Sequence, residues 1–343
     1  MITFAAFGEQ RLIEAIRART DATYADWDRS QLPVANGDDG AVWLPRGPIV
    51  ATVDSIVAGV DWLEGPTPPA AIGHRAAAVN LSDLAAMGAR PGVLLLALEL
   101  PGDTDIEELL ESIDGFTALA KAHGAAIVGG DVGLSPGPAR WTVTALGWLP
   151  GPALRRDQAR PGDRLWLIGA VGLAAAGLAA LRHGKAPCSP WDVPIRHHLW
   201  PEPLLAASGL LAACGARLAA VDVSDGLQRD ATSLAKASGV ALALRLSCPA
   251  AWPADLLDHA REIDIDWRLA CAHGGDDYAL LVAGPADFDV RNCLASIDIA
   301  VTELGTALSG PPGEVTLYVG DRLMHAGGFV HGGAALHDPA SPP

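Results

Sequence analysis

Apolar runs of strand-like composition alternate along the first half of the chain with segments of helical periodicity. The predicted strands are 49–57, 92–100, 125–130 and 141–149, and the predicted helices are 74–87 and 105–122. The strand-like runs are rich in aliphatic and β-branched residues, whereas the helical segments repeat apolar positions every three or four residues. The second half alternates in the same way, and this order predicts an α/β or α+β fold.

The helix that follows Pro101 has the clearest predicted boundaries. Thr104 and Glu107 match a capping box, and Gly124 lies just past the predicted end. Its apolar residues fall on one stripe, so we expect this helix to serve packing.

The chain is long enough for two domains of ordinary size, with 343 residues. The segment 148–163 concentrates Pro, Gly and Arg between two apolar runs and is the best candidate for a linker. We therefore expect an N-terminal domain at 1–150, a C-terminal α/β domain at 151–333 and a frayed tail at 334–343.

The charge of the chain restricts its partners. Asp and Glu number 40 against 24 Lys and Arg, which gives a formal net charge of −16. Such a surface repels nucleic-acid backbones and anionic membranes, so neither is expected as a partner. Aspartates that converge on metal ions would still admit an anionic substrate.

Three features favour a cytoplasmic protein. The five cysteines are far apart and form no C-x-x-C pair, which fits a reducing compartment. Residues 1–17 include charged side chains and lack the apolar core of a signal peptide. The uncharged run 165–181 approaches the length of a membrane span, but Gly169 and Gly172 divide it into a strand and a short helix.

Candidate chemistry resides in aspartates that lie beside glycines or at the ends of apolar strands. Turn formation explains any one of these segments, but five together indicate a shared role. The segments are GDDG at 37–40, TVDS at 52–55, NLSD at 80–83, GGD at 129–131 and DVSDG at 222–226.

The pattern around these aspartates predicts cation binding. Thr52 and Asp54 share one face of a strand, and a carboxylate in a Val- and Ile-rich strand is not expected to remain unpaired. The same reasoning applies to Asp222, which interrupts an apolar strand with Ser224 on its face. Asp83 lies beside the buried stripe of a helix and can reach a neighbouring site. A set of oxygen ligands suits Mg²⁺ better than zinc, and Mg²⁺ commonly accompanies phosphates.

Other nucleotide and metal motifs are excluded. The run DVSDGLQRD begins like an EF-hand loop, but Ser233 stands where position twelve requires a bidentate Glu. The chain also lacks the P-loop motif and the protein-kinase motifs. A nucleotide must be bound in another way.

Eight segments, in order, resemble the thiamine-monophosphate kinase family, whose superfamily includes aminoimidazole ribonucleotide synthetase and selenophosphate synthetase. They are GDDGAVW, TVDSIVAGV, GHRAAAVNLSDLAAMGARP, VGGD, RRDQARPGD, DVSDGL, GGDDYALL and GGFVHGG. The match runs from about Phe7 to His331. The resemblance implies a fold like that of aminoimidazole ribonucleotide synthetase, with an N-terminal sheet and helices, a C-terminal α/β domain, and a homodimer formed through the N-terminal domains.

The resemblance also implies a reaction, namely transfer of the γ-phosphoryl group of ATP to thiamine monophosphate with several magnesium ions. The implied metal residues are Asp39, Thr52, Asp54, Asp83, Asp131, Asp222 and Asp225. The implied ATP-binding residues are Gly130, Asp131, Arg156 and Ser224. The implied catalytic residues are Asp54, Asp83, Asp222 and Arg156, and the substrate-binding residues are Asp61, Asp276 and Phe329.

Four positions depart from the family's pattern. Val53 replaces a threonine, Asp61 a histidine and Asp276 a glutamate, while Phe329 stands where tryptophan is frequent. Three of the four belong to the acceptor pocket, so a related phosphotransferase or synthetase with another acceptor remains an alternative. A catalytically silent nucleotide-binding module is the alternative of another class, although the retained metal aspartates argue against it.

Overall fold

The computed structural model of the protein describes residues 2–325 and 327. The helices are α1 (Phe4–Phe7), α2 (Glu9–Thr20), α3 (Pro69–Ala86), α4 (Ile106–Ala122), α5 (Leu173–Arg182), α6 (Asp192–Leu199), α7 (Leu205–Ala213), α8 (Leu227–Ser238), α9 (Ala254–Glu262), α10 (Trp267–His273) and α11 (Val290–Cys293). The strands are β1 (Ile49–Val57), β2 (Arg90–Leu100), β3 (Ala126–Leu134), β4 (Arg140–Trp148), β5 (Arg164–Ile168), β6 (Ala219–Val223), β7 (Ala241–Leu246), β8 (Ala279–Gly284), β9 (Val301–Leu308), β10 (Val315–Val319) and β11 (Arg322–Met324).

The first sheet has four strands in the order β1-β4-β2-β3. β4 runs antiparallel to both of its neighbours, and β2 and β3 are parallel. Alternation along β2 buries Leu94, Leu96 and Leu98 in one core with residues of α3 and α4, and leaves Leu95 on the opposite, exposed face. The sheet is therefore covered by helices on one side.

The second sheet has seven strands in the order β11-β10-β7-β9-β5-β8-β6. Its interior strand β5, which lies between β9 and β8, is buried on both faces. Leu165 and Leu167 belong to a core that includes residues of α5 and α8, while Trp166 and Ile168 belong to a core that includes residues of α7 and α11. A continuous apolar strand of this kind is typical of a sheet between two helical layers. The two sheets, each packed against helices, confirm the predicted α/β class.

The helix α3 lies between the two sheets. It packs on the first sheet, and its Ser82 side chain donates a hydrogen bond to Asp222 of β6, 2.8 Å away. Ser208 of α7 donates to the Ala85 carbonyl near the end of α3. Because neighbours surround it on both sides, most of α3 is buried, including the polar Asn80 and Ser82.

The structure corrects two helix starts. α3 begins at Pro69 rather than near residue 74, because a proline is well accommodated in the first turn of a helix. The prediction of Thr104 as the cap of α4 was wrong, since the Asp105 carboxylate accepts the hydrogen bond from the Glu107 backbone amide at 2.8 Å. Asp and Thr are both good caps, so neighbouring candidates cannot be separated by pattern alone.

The structure also bears on the predicted linker and on the uncharged run 165–181. We propose a domain boundary near residue 150, because the first sheet ends at Trp148 and the second begins at Arg164. The run 165–181 forms β5 and most of α5. Within residues 2–325 and 327, no helix combines the length and apolarity needed to cross a membrane.

The close packing of α3 against α4 at Gly73 can be tested by substitution. A Cβ atom added at Gly73 would lie 1.7 Å from the Ser112 carbonyl oxygen, so Gly73→Ala should lower the free energy of unfolding by about 1–3 kcal/mol. Gly209 in α7 faces open space, and Gly209→Ala should instead stabilise by up to about 1 kcal/mol. Urea denaturation of both variants checks this pair, and equal effects would contradict the packing described.

Candidate active site

Two hydrogen bonds align strand β1 with helix α3. The Thr52 hydroxyl donates to a carboxylate oxygen of Asp83, and the Asp54 backbone amide donates to the side-chain oxygen of Asn80 at 3.1 Å. A step of two residues along the strand thus matches a step of three along the helix. This pairing fixes Thr52 and Asp83, both predicted from sequence, side by side.

Asp222 joins this pair from the second sheet. It lies at the end of β6, is 3% exposed and accepts the hydrogen bond from Ser82. Burial and the nearby charge of Asp83 raise the pKa of Asp222 to about 6. Burial also raises the pKa of Asp83, against the opposing effects of Thr52 and Arg156. Two desolvated carboxylates therefore lie within electrostatic range of each other where α3 contacts β6.

The loop between β6 and α8 and the first turn of α8 each add a carboxylate, Asp225 and Asp230. The Asp225 amide donates to the Asp230 carboxylate at 3.0 Å, and the Asp225 carboxylate lies 3.3 Å from Arg229. Burial, and then the charge of Asp222, raise the pKa of Asp230 to about 7. Asp230 was missed by the sequence analysis, although it closes the run DVSDGLQRD and lies in the first turn of α8.

Arg156 supplies positive charge to the same region. It lies in a short 3₁₀ helix, Arg156–Gln158, and its carbonyl accepts a hydrogen bond from Ser238 of α8 at 2.6 Å. Its charge lowers the pKa of both Asp83 and Asp222 against the larger effect of burial. An open cavity of about 470 Å³ is lined by Thr52, Asp83 and Arg156, among others. That volume is in the range of small-molecule sites.

Three predicted residues lie outside this cluster of contacts. Asp39 is exposed in a loop, and its amide is bonded to Asp38 at 2.9 Å. Gly130 and Asp131 lie in β3 and are exposed. A Cβ atom at Gly130 would lie 1.8 Å from the Leu96 carbonyl, so only glycine fits there. No hydrogen bond between described residues links these three to Asp83 or Asp222.

Asp54 differs from the expectation for a carboxylate in an apolar strand. β1 is the edge strand of its sheet, and Asp54 is exposed. Desolvation alone therefore does not require a cation at this position.

The donor atoms suit Mg²⁺ shared with a ligand. Within the described part of the chain, no three His, Cys, Asp or Glu side chains are grouped so that they could hold a metal by themselves. Mg²⁺ in phosphate-binding sites, however, commonly takes one or two carboxylates and completes its octahedron with water and phosphate oxygens. Asp83 and Asp222, with the Thr52 hydroxyl, provide such a partial oxygen set, and a cation would relieve the repulsion between the two carboxylates.

Two of the predicted acceptor residues, Asp61 and Asp276, interact with the buried Arg75. Asp61, in the turn after β1, accepts a hydrogen bond from the Val57 amide at 2.7 Å. Asp276 forms an ion pair of 2.8 Å with Arg75 of α3, which the sequence analysis did not select. Phe329 lies outside the described residues. Two of the three predicted acceptor residues thus have defined surroundings.

This chain is similar in sequence to one protein family model and to curated proteins. The family model "AIR synthase related protein, N-terminal domain" matches residues 37–149. The thiamine-monophosphate kinase of Synechococcus elongatus is 37% identical over 262 residues, which cover 74% of this chain and 77% of that protein.

Solved structures agree at the level of the fold. The crystal structure of thiamine-monophosphate kinase from Stenotrophomonas maltophilia has a TM-score of 0.74 and 35% identity, and the match covers 92% of this chain and 96% of that one. AaThiL complexed with AMPPCP and TMP has a TM-score of 0.70 at 24% identity, covering 96% and 98% of the two chains. At this lower identity, the second comparison shows the shared fold.

Proposed function

Since this chain belongs to the thiamine-monophosphate kinase family, we propose how its residues divide the work of that family's reaction. The enzyme uses ATP to phosphorylate thiamine monophosphate, which yields thiamine diphosphate and ADP. An oxygen of the acceptor phosphate bonds to the γ-phosphorus while the bond to the β,γ-bridging oxygen breaks. The donor side of this transfer is assigned to the cavity beside Asp83.

The observation that carries the assignment is the electrostatic interaction of Asp83, Asp222 and Arg156 at the point where helix α3 contacts strand β6. The proposed metal-binding residues are Thr52, Asp83 and Asp222. The family resemblance adds Asp39, Asp54, Asp131 and Asp225 to the proposal. When bound, Mg²⁺ neutralises charge on the two phosphate groups. Arg156, within electrostatic range of both buried carboxylates, is proposed to contact the transferred phosphoryl group.

ATP is proposed to lie against Gly130, Asp131, Arg156 and Ser224. The absence of a side chain at Gly130 lets strand backbones approach closely at this point. Ser224 lies between Asp222 and Asp225, so a nucleotide bound there would lie beside both carboxylates.

The reaction needs no general base from the protein. A phosphate monoester has a second pKa near 6, so the acceptor oxygen is already nucleophilic at neutral pH. The chain's own residues need only bind, align and neutralise two polyanions.

A turnover assay tests this assignment. Purified protein with Mg²⁺, ATP and thiamine monophosphate should form thiamine diphosphate and ADP in equal amounts. Asp83→Asn should lower kcat/KM by about 100-fold or more, because it removes a charge that is proposed to act on the metal. The exposed Asp103→Asn, which removes the same charge elsewhere, should leave kcat/KM unchanged.

Three results would contradict the assignment. ADP release only with another acceptor would indicate a changed substrate. Nucleotide binding with no turnover on any acceptor would indicate a silent module. Full activity of a folded Asp83→Asn enzyme would show that Asp83 has no role in catalysis.

We also propose a homodimer formed through the first sheet. Val53, Thr144 and Leu95 lie opposite one another in a row across β1, β4 and β2. Val53 is 59% exposed and Leu95 is 37% exposed, so two apolar side chains on either side of Thr144 face outward on the side not covered by helices. We propose that the same sheet of a second copy packs against this face.

The five unpaired cysteines support a reducing, cytoplasmic location.

Sedimentation velocity tests the dimer. The full-length protein should sediment as a dimer at micromolar concentration, and Val53→Lys should shift it toward monomer because it places a charge in the proposed contact. Leu308→Lys adds the same charge at an exposed apolar position in the second sheet, and this control should leave the dimer intact. A monomeric wild-type protein would contradict the proposal.

A further inference from the structure

Arg75 is a buried charged residue that is not among the residues proposed to bind ATP or Mg²⁺. It lies in α3, eight residues or about two turns before Asp83 of the NLSD segment, and its side chain is only 4% exposed. One guanidinium nitrogen, Nη2, donates to the His198 carbonyl at 2.6 Å and lies 3.2 Å from Nδ1 of the same residue. The other, Nη1, lies 2.8 Å from Asp276. Burial of such a group is costly unless it is paired, as here.

Asp276 is held in place but remains open on one side. One carboxylate oxygen pairs with Arg75, and the other accepts a hydrogen bond from the Tyr278 hydroxyl at 3.1 Å. Its side chain is nevertheless 38% exposed. A carboxylate can accept up to about four hydrogen bonds, so capacity remains toward the open side.

The backbone around Asp276 is conformationally unusual. Asp276 has φ of 65° and Tyr278 has φ of 49°, both in the left-handed region that non-glycine residues rarely adopt. Their amides donate to the Ser224 and Val223 carbonyls, each at 2.9 Å. Between them, the Asp277 carboxylate accepts hydrogen bonds from the Gly172 and Ala174 amides. The segment is thus fixed in a strained form that presents the Asp276 side chain.

The charges around Arg75 are not balanced. Burial raises the pKa of Asp276, but Arg75 outweighs this effect and holds the pKa below its ordinary value, so the carboxylate is ionised. Asp61 also acts on Arg75 and raises its pKa. His198 is neutral, because burial and the charge of Arg75 lower its pKa to about 3. Two carboxylates against one guanidinium leave a net negative charge.

Asp61 and Asp276 are also two of the positions that depart from the family's pattern. They are more than 200 residues apart in the sequence, yet both interact with the same arginine. The change from histidine to Asp61 and from glutamate to Asp276 therefore concerns one cluster of charges rather than two unrelated sites.

We infer that Arg75 is a positioning residue for the acceptor, which orients Asp276 so that its open side faces the cationic ring of the substrate. This inference rests on the proposed function, because thiamine monophosphate carries a permanently charged thiazolium ring. Arg75 itself, buried behind Asp276, does not touch the acceptor. Its role is to fix the carboxylate that recognises the ring, and so to set acceptor specificity.

Steady-state kinetics with two acceptors test the inference. The second acceptor is the monophosphate of a thiamine analogue in which a neutral thiophene replaces the thiazolium ring. Arg75→Met should raise KM for thiamine monophosphate by about tenfold or more, leave KM for ATP within about twofold, and remove most of the preference for the charged ring. Arg75→Lys should restore part of that preference, and Asp276→Asn should reproduce its loss.

A matched control separates positioning from stability. Arg217 forms a comparable ion pair of 2.7 Å with the buried Asp163, which directly precedes β5, and it also donates to the Gln158 carbonyl. Arg217→Met should lower thermal stability without changing the ratio of kcat/KM between the two acceptors. If Arg75→Met fails to fold, Arg75→Lys and Asp276→Asn still decide the question.

The possible failures are distinguishable. If the wild-type enzyme does not phosphorylate thiamine monophosphate, the proposed function is overturned and this inference with it. Wild-type turnover together with unchanged acceptor discrimination in folded Arg75 and Asp276 variants would overturn the inference alone. An equal rise in KM for ATP and for the acceptor would assign Arg75 a general structural role instead.

Discussion

The contact between α3 and β6 is the interaction on which the rest of the site depends. Ser82 on the helix donates to Asp222 on the strand, and the neighbouring Asp83 accepts from Thr52 on the first sheet. The helix thereby brings its own Asp83 close to Asp222 of the second sheet. Burial raises the pKa of both carboxylates, and the charge of Asp83 adds to the increase at Asp222. Such an arrangement is unfavourable for stability alone and favourable for binding a cation between phosphates.

The same helix connects the donor side with the acceptor side. Arg75 and Asp83 are eight residues apart in α3, so about two helical turns separate them. Arg75 fixes Asp276, and the amide of Asp276 is bonded to Ser224, beside the donor carboxylates. Rigid spacing of this kind is what in-line transfer between two bound phosphates requires. A helix buried on both sides provides that rigidity.

Much of this could be predicted from the sequence, and the rest could not for physical reasons. Strand β1 and the place of Asp83 beside the buried stripe of its helix follow from local periodicity, and the order of strands and helices predicted the fold class. Arg75, in contrast, lies in the quoted segment GHRAAAVNLSD, but its partner is 201 positions later in the chain. Contacts of that separation depend on how the two sheets pack. The exposure of Asp54 likewise depends on β1 being an edge strand, which its own composition does not reveal.

The central claim is that Asp83 and Asp222 bind the nucleotide through Mg²⁺. Isothermal titration calorimetry with a non-hydrolysable ATP analogue tests it most directly, because no acceptor or turnover is involved. We expect binding by the wild-type protein that requires Mg²⁺, and binding by Asp222→Asn that is weakened at least tenfold (about 1.4 kcal/mol). Equal affinity with and without Mg²⁺, or unchanged Mg²⁺-dependent affinity in a folded Asp222→Asn protein, would contradict the account.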